Sequence, residues 1–171
     1  MIDDDLVIND KNSLEYTDSI YFRSTPIYKF IILSVLTCGF YHAIWAYTLW
    51  KTIKTIPDYN NINVLLRTVF MGITNFSLFK IINKHLLQYN DKGYNTTLFA
   101  TMYILLVMIG NISDSMIIVP ILCTILIAII QSKINRVNEI YFPDSKINTW
   151  NYANTIWATI FGLVYIIILL K

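Results

Sequence analysis

Residues 96–132 read TTLFATMYILLVMIGNISDSMIIVPILCTILIAIIQS, and Asp114 is their only charged side chain. A short polar turn, 111–115, separates two apolar runs. Crossing the hydrocarbon core of a bilayer takes about 20 residues of helix, and lipid cannot hydrogen-bond an exposed backbone amide. The stretch therefore predicts a hairpin of two membrane-spanning helices, at about 96–112 and 115–132, with Asp114 capping the second helix.

The composition of the whole chain agrees with a lipid-facing surface. Of its 171 residues, 56% are hydrophobic and only 14% are charged, against about 25% charged in a typical soluble protein. This shortage excludes an ordinary water-soluble domain, and a formal net charge of +2 is too small to indicate nucleic acid as a partner. The two cysteines, Cys38 and Cys123, lie inside apolar stretches, so we expect neither a disulfide framework nor a zinc site.

Two further spans are predicted, at about 27–50 and 150–170, because each contains a long run without any Asp, Glu, Lys or Arg. Residues 1–25 are polar and acidic, and we expect them to form a tail outside the core of the protein. The predicted fold class is all-α. It is an integral membrane helical bundle with four spanning helices, built from one domain over 26–171, plus one helix of uncertain placement.

That remaining helix covers residues 63–84 and is amphipathic. At about 100° per residue, five polar residues share an arc of roughly 100°, and they are Asn63, Arg67, Thr74, Ser77 and Lys84. The helix can lie in the headgroup plane, or it can be a fifth span whose polar stripe faces the other helices. We favour the interfacial placement.

The orientation follows from the positions of lysine and arginine. The hairpin tip at 111–115 has none, whereas the segments on either side contain several, so we expect the tip outside and the flanks in the cytoplasm. An interfacial helix 63–84 places the amino-terminal tail outside the cell, and a spanning one places it inside.

A motif of the form Leu-Ser-x-x-Thr-x-Gly-x-Tyr-x-x-x-Trp lies within the first predicted span, over residues 33–45. Its members after the leucine are Ser34, Thr37, Gly39, Tyr41 and Trp45. We expect Gly39 to permit a close approach or a kink, and Thr37 to return its hydroxyl to a carbonyl of the preceding turn. The functional alternative is a broken helix that forms a polar pocket, or the bend of a re-entrant hairpin.

This motif resembles that of uncharacterised bacterial multi-pass inner-membrane proteins, those of domain of unknown function 4234 and its relatives. Later landmarks are also similar, including the Leu78-Phe79 pair and Gln131-x-x-Ile-Asn135. The sequence departs from the family pattern at Cys38 and His42. The resemblance implies a helical fold in the bacterial cytoplasmic (inner) membrane, and it implies no activity.

Groups that could carry catalysis are scarce. The two histidines, His42 and His85, belong to no cluster with metal-ligand or catalytic spacing, so we expect no enzyme, no metal and no cofactor. We interpret His42 as an interfacial or interhelical hydrogen-bonding group, with a proton-linked or ligand role as the alternative. The pattern of residues 131–142 predicts that the preceding helix extends into the cytoplasm. The side-chain amides of this extension form either a solvated face or a docking surface for a partner.

The sequence favours a small, non-enzymatic membrane protein that acts by binding protein or lipid, with an immunity or accessory protein as one form of this role. The expected partners are membrane lipid and either another protein or a second copy of the chain. The alternative is a subunit of an oligomeric channel or transporter, with a polar path near Thr37, His42 and Arg67.

Overall fold

The computed structural model describes residues 21–112 and 118–143 together with Ile156 and Ile160, and of residues 111 and 112 it describes the backbone alone. Within these ranges the chain is helical and has no strand, so the all-α class is confirmed. The helices are α1 (Ile27–Leu36), α2 (Phe40–Ile53), α3 (Val64–Val69), α4 (Met71–Gln88), α5 (Thr96–Ile112) and α6 (Ile118–Tyr141), with a 3-10 turn at Pro57–Tyr59.

The helices α5 and α6 form much of the predicted hairpin. The bounds of α5 agree with those predicted, and α6 continues to Tyr141, which confirms the predicted extension. A Cβ atom built on Gly110 would lie only 2.9 Å from Cγ1 of Val119, so the two backbones pack closely near the tip. Residues 113–117, which include the predicted cap Asp114, lie outside the described residues.

The prediction of one helix over 27–50 is wrong, because the chain turns back on itself between α1 and α2. The ring of Phe30 lies 5.7 Å from that of Tyr41 and 6.2 Å from that of Trp45. In a continuous helix these residues would be separated by about 16 and 22 Å. The segment is therefore a helical hairpin, and the 10 residues of α1 cover about 15 Å, half of a hydrocarbon core.

The α1–α2 hairpin packs along α6 and brings the start of the described chain to the far half of that helix. The backbone N–H of Thr25 donates to Oδ1 of Asn135, whereas His42, just past the hairpin tip, contacts Thr124 near the start of α6. Residues 22–25 therefore lie at the same end of the bundle as Lys133. Phe22, Ser24 and Thr25 are buried, so the prediction of a tail outside the core of the protein is wrong for these residues. Of the two predicted placements of the tail, the one on the side of the basic flanks agrees with their position, and the favoured one, on the opposite side, does not.

The helix predicted over 63–84 is divided at Phe70 into α3 and α4, and α4 continues to Gln88. Asn63 caps α3 by accepting a hydrogen bond from the N–H of Leu66 at 3.0 Å. At the bend, the Thr74 hydroxyl lies 2.5 Å from the carbonyl of Arg67, seven residues earlier. A contact over that separation requires a sharp change of direction, since a continuous helix would place the two groups about 10 Å apart.

One helix within the described ranges, α6, is both long and apolar enough to cross a bilayer. The helices α1 and α5 are apolar but shorter. The span predicted at 150–170 lies outside the described residues except for Ile156 and Ile160, which are helical. The structure thus supports a helical chain that contains a segment able to span a membrane.

The two ends of the bundle differ in charge. The polar end, as we define it, contains residues 21–25, 50–54, 80–95 and 131–141, which hold most of the described ionic side chains. The apolar end contains residues 36–44, 69–76, 103–110 and 118–125, which hold no Asp, Glu, Lys or Arg. Turns and helix ends therefore meet at both ends, but only one end carries charge.

Candidate functional site

The break between α1 and α2 is the most unusual local structure in the described chain. Cys38 has φ 48 and Gly39 has φ 89, so two successive residues adopt left-handed conformations. The N–H of Gly39 donates to the carbonyl of Ser34 at 2.8 Å, and that of Cys38 donates to Val35 at 3.1 Å. These two bonds form a Schellman motif, which ends α1. Only glycine takes such a conformation without steric cost, which explains Gly39.

Thr37 joins the two helices across this break. Its hydroxyl donates to the carbonyl of Leu33 at 2.7 Å and accepts the N–H of Tyr41 at 2.9 Å. The first bond confirms the hydroxyl contact predicted for Thr37, and the second satisfies an amide at the start of α2 that has no partner within the helix. The hydroxyl is therefore fully used within the turn.

His42 lies one turn beyond the break and is 3% exposed. Its Nε2 is 3.0 Å from Oγ1 of Thr124, and that oxygen is 2.7 Å from the carbonyl of Pro120. A carbonyl can only accept, so the Thr124 hydroxyl proton points to Pro120 and its oxygen accepts from Nε2–H of His42. The interhelical hydrogen bond predicted for His42 is confirmed, and it leaves Nδ1 as an acceptor.

A cavity of about 370 Å³ opens beside His42, between the hairpin tip, the start of α4, and the facing ends of α5 and α6. Its described lining is mainly apolar and includes Phe40, Ala43, Met71, Val107, Val119 and Cys123. The broken helix named in the alternative interpretation is therefore present, but the pocket beside it is mainly apolar, whereas that interpretation expected a polar one. No group of three His, Cys, Asp or Glu side chains within the described ranges is arranged to hold a metal ion.

The amides of α6 form the second distinctive arrangement, and they hold residues 22–25. Gln131 accepts the indole N–H of Trp45 at 2.7 Å and donates to the carbonyl of Arg23 at 3.2 Å. Asn135 makes two hydrogen bonds with the backbone of Thr25. Asn138 donates to the carbonyl of Phe22 at 2.6 Å. These amides are therefore a docking surface, but for the chain's own amino-terminal segment.

The predicted polar stripe does not face a common interior. Arg67 lies over the ring of Trp50, with its guanidinium carbon 4.5 Å from the ring centroid. Ser77 and Lys84 are exposed. The buried face of α4 is instead formed by Asn75, Leu78, Phe79, Ile82, His85 and Leu86. The prediction grouped Asn63 and Arg67 with Ser77 and Lys84, which holds only for a helix without the bend at Phe70.

The other residues of the 33–45 motif are Ser34, Tyr41 and Trp45. Ser34 is fully buried, and its hydroxyl has no hydrogen-bond partner within the described structure. Tyr41 packs its ring against Phe30, and Trp45 is tied to Gln131 as described above. The motif therefore builds a turn and anchors it to α6.

Sequence reasoning missed an ion cluster at the polar end. Asp91 is 2% exposed at its side chain, lies 3.0 Å from Nζ of Lys133, and also contacts the guanidinium of Arg136. Burial alone would raise the pKa of Asp91, but the bonds from Lys133, from the Gly93 amide and from Arg136 hold it below its ordinary value. Asp91 lies in a loop, 42 residues before Lys133, so no short-range sequence pattern predicts the ion pair.

His85 contributes a second buried group at this end, and it is 2% exposed. Its ring lies 4.8 Å from Phe22 and 4.9 Å from Tyr89, and neither ring nitrogen has a hydrogen-bond partner within the described structure. Burial lowers the pKa of His85 to about 4, so the imidazole is neutral at pH 7.

The comparisons with known proteins add no assignment to this geometry. The resemblance carried by residues 33–45 concerns a family of unknown activity, and it stays a prediction. No family model, curated protein or solved structure matches the chain.

Proposed function

We propose that the chain is a small, non-enzymatic, multi-pass protein of the bacterial cytoplasmic membrane that acts by binding protein or lipid. The observation that carries the proposal is the uncharged, exposed apolar end of the bundle. Phe40 is 71% exposed, Val69 is 76% exposed and Ile73 is 75% exposed. Soluble monomers rarely expose apolar patches beyond a few hundred Å², whereas lipid solvates such a surface without cost.

The polar end fits the membrane surface of this arrangement. Basic side chains outnumber acidic ones there, with Lys51, Lys84 and Arg136 exposed. Positive charge next to a span favours the cytoplasmic face and attracts anionic lipid headgroups. The four-span prediction belongs to this proposal, in a corrected form. The first predicted span becomes a re-entrant hairpin, and α5, α6 and residues 150–170 remain as crossing segments.

The channel alternative has less support. Its polar path requires Thr37, His42 and Arg67 to line one conduit, but the hydroxyl of Thr37 is used within its own turn. The guanidinium of Arg67 packs on Trp50. A protein that binds a partner, including an immunity or accessory protein, needs no such path.

Single-cysteine accessibility in cell membranes tests the placement. Cys38 and Cys123 are replaced by alanine, and the reporters are Arg23→Cys, Lys84→Cys and Ile73→Cys, with Glu139→Cys as a control at the polar end. A membrane-impermeant maleimide should label positions 23, 84 and 139 only in inside-out vesicles, and position 73 only after solubilisation. Labelling of positions 23 and 84 from opposite faces, or of position 73 in intact membranes, contradicts the proposal.

The binding role has its own readout. A photoreactive benzophenone attached at position 84 should form a crosslink to a discrete protein, with twice the chain mass indicating a homo-oligomer, or to lipid. The same group at position 73 should form lipid adducts alone. A polar end that crosslinks to nothing contradicts a binding role.

A further inference from the structure

We propose that the cavity beside His42 binds a lipid-soluble alcohol, that is, a ligand with an apolar chain and one hydroxyl donor. The inference rests on the membrane placement proposed above and names the ligand class for it. The site is formed by the hairpin tip of α1 and α2 against α5 and α6.

The apolar lining of the cavity favours a ligand whose main part is apolar. Val107, Val119 and Met71 face the same space as the tip of the hairpin. The volume, about 370 Å³, lies within the range of about 300–1,000 Å³ typical of small-molecule sites. Phe40, which lines the cavity, is largely exposed. A chain longer than the cavity can therefore continue past Phe40 into surrounding lipid.

Tyr103, whose side chain is hydrogen-bonded to Asn75, also lines the cavity. The polar requirement of the proposal comes from one nitrogen of His42. Because Nε2 of His42 donates to Thr124, Nδ1 carries a lone pair and no proton. A Cβ atom on Gly39, which also lines the cavity, would lie 3.5 Å from Nδ1, so the absence of a side chain at Gly39 leaves this nitrogen open to the cavity.

An acceptor without a donor in apolar surroundings costs roughly 1–3 kcal/mol. A ligand hydroxyl removes this cost by donating to Nδ1, whereas an ether or a ketone has no proton to give. The cavity should therefore distinguish an alcohol from its methyl ether, although the two have nearly the same chain.

The test uses purified protein in lipid nanodiscs with two photoreactive probes, a hexadecanol that carries a diazirine in its chain and the methyl ether of that alcohol. Labelled peptides are quantified by mass spectrometry after illumination. We expect the alcohol to label residues 38–43 or 107–123 about tenfold more than the ether, the ratio for one hydrogen bond of about 1.4 kcal/mol. This comparison needs no variant.

Variants then assign the effect. His42→Phe should reduce alcohol labelling to the ether level, and Ala43→Leu should reduce labelling by both probes because it fills the cavity. His85→Phe, at the other histidine, is the matched control and should leave the ratio unchanged. Equal labelling by the two probes in the wild type, or a ratio that His42→Phe leaves intact, overturns the proposal.

The same experiment separates the two proposals. Labelling of the outer apolar surface around Ile73 with no alcohol preference in the cavity leaves the membrane placement standing and overturns the ligand class. Absence of labelling at both places contradicts the membrane placement as well.

Discussion

The two ends of the bundle are stabilised by different kinds of contact. At the polar end, side-chain amides of α6 bind the backbone of residues 22–25, and Asp91 pairs with Lys133 and Arg136. At the apolar end, the hairpin tip has its own backbone bonds, the Thr37 hydroxyl and one interhelical bond, from His42 to Thr124, and Phe40 and Ile44 are exposed. Several long-range directional bonds therefore fix the polar end, whereas a single one, with packing, fixes the apolar end.

This difference predicts at which end substitutions should lower the stability of the protein. Losing a buried hydrogen bond leaves a partner unsatisfied whatever the solvent. An exposed apolar side chain is covered by lipid or detergent in the folded and the unfolded chain alike, so it contributes little to the free energy of unfolding. We expect single polar substitutions to destabilise the polar end in detergent, and exposed substitutions at the apolar end to leave detergent stability nearly unchanged.

The largest effect is expected for Gln131→Leu. The change leaves the indole N–H of Trp45 and the carbonyl of Arg23 without their partner, and each orphaned group costs about 1–3 kcal/mol. The free energy of unfolding in detergent should fall by about 4 kcal/mol. Ser132→Ala, at the exposed neighbouring position, is the control and should have little effect. An unchanged unfolding midpoint for Gln131→Leu would mean that the amides do not hold residues 22–25.

The next effect concerns pH and His85. Burial lowers its pKa in the folded protein to about 4, below the ordinary 6.5, so the unfolded chain takes up the proton first as the pH falls. Stability should decrease by about 1.4 kcal/mol per pH unit between pH 6.5 and 4, on the order of 3 kcal/mol in total, and level off below. His85→Phe should remove this contribution, and Lys84→Ala should not. Equal pH profiles for His85→Phe and wild type would show that the imidazole is not buried as a neutral group.

Asp91→Asn should cost about 2 kcal/mol, because it removes the charge from two charge-assisted hydrogen bonds while keeping an acceptor for the Gly93 amide. The pKa of Asp91 is below its ordinary value of 3.8. Its stabilisation is therefore present above pH 3.8 and is lost as the pH falls further. Unfolding of the variant and wild type at pH 7 and pH 3 checks both points, with Lys92→Ala as control. The difference should be smaller at pH 3 than at pH 7, and a difference that is equally large at both would exclude the ionised carboxyl as its source.

Arg67→Leu tests the connection between α3 and α2. The cation–π contact with Trp50 is partly exposed, so its loss should cost less than about 1 kcal/mol. Tryptophan fluorescence during unfolding provides the readout, and Arg67→Lys should retain part of the contact. A loss of several kcal/mol would show that α3 is also held by strong directional bonds, like those of the polar end.

The smallest effect is expected at the apolar end, for Phe40→Ser. Its exposed side chain should contribute less than about 0.5 kcal/mol to unfolding in detergent. Phe40→Tyr is the conservative control, and thermal unfolding in the same detergent measures both. A large destabilisation by Phe40→Ser would contradict the proposed difference between the two ends, because an exposed apolar side chain would then stabilise the fold in detergent.

The long apolar runs could be predicted from the sequence with their bounds, whereas the turn between α1 and α2 could be predicted only as an alternative. The bounds of α5 follow from its uncharged run, and the extension of α6 follows from the periodic polar residues up to Asn138. The break at 37–39 could be named only as an alternative to a continuous span, because a run as apolar as 30–50 fits a span and a buried hairpin equally. Only the positive φ values of Cys38 and Gly39 distinguish them.

The candidate site was readable in part. His42 and Gly39 stood out because polar and small residues are unusual in an apolar run, and Thr37 could be assigned its hydroxyl bond from local spacing alone. Thr124 could not be assigned to His42, because the two are 82 residues apart and meet only when the hairpin packs on α6. The roles of Gln131 and Asn138 depend on the same long-range packing.

The contacts of residues 22–25 also determine the order in which parts of the chain can fold during synthesis. Thr25 is 110 residues from Asn135, and Phe22 is 116 residues from Asn138. At about 5–20 residues per second, a ribosome needs roughly 5 to 25 seconds to travel from one partner to the other. Throughout that interval the α1–α2 hairpin exists without its anchor. Nascent chains arrested before residue 131 should therefore expose residues 21–25 to protease, and chains extended past residue 141 should protect them.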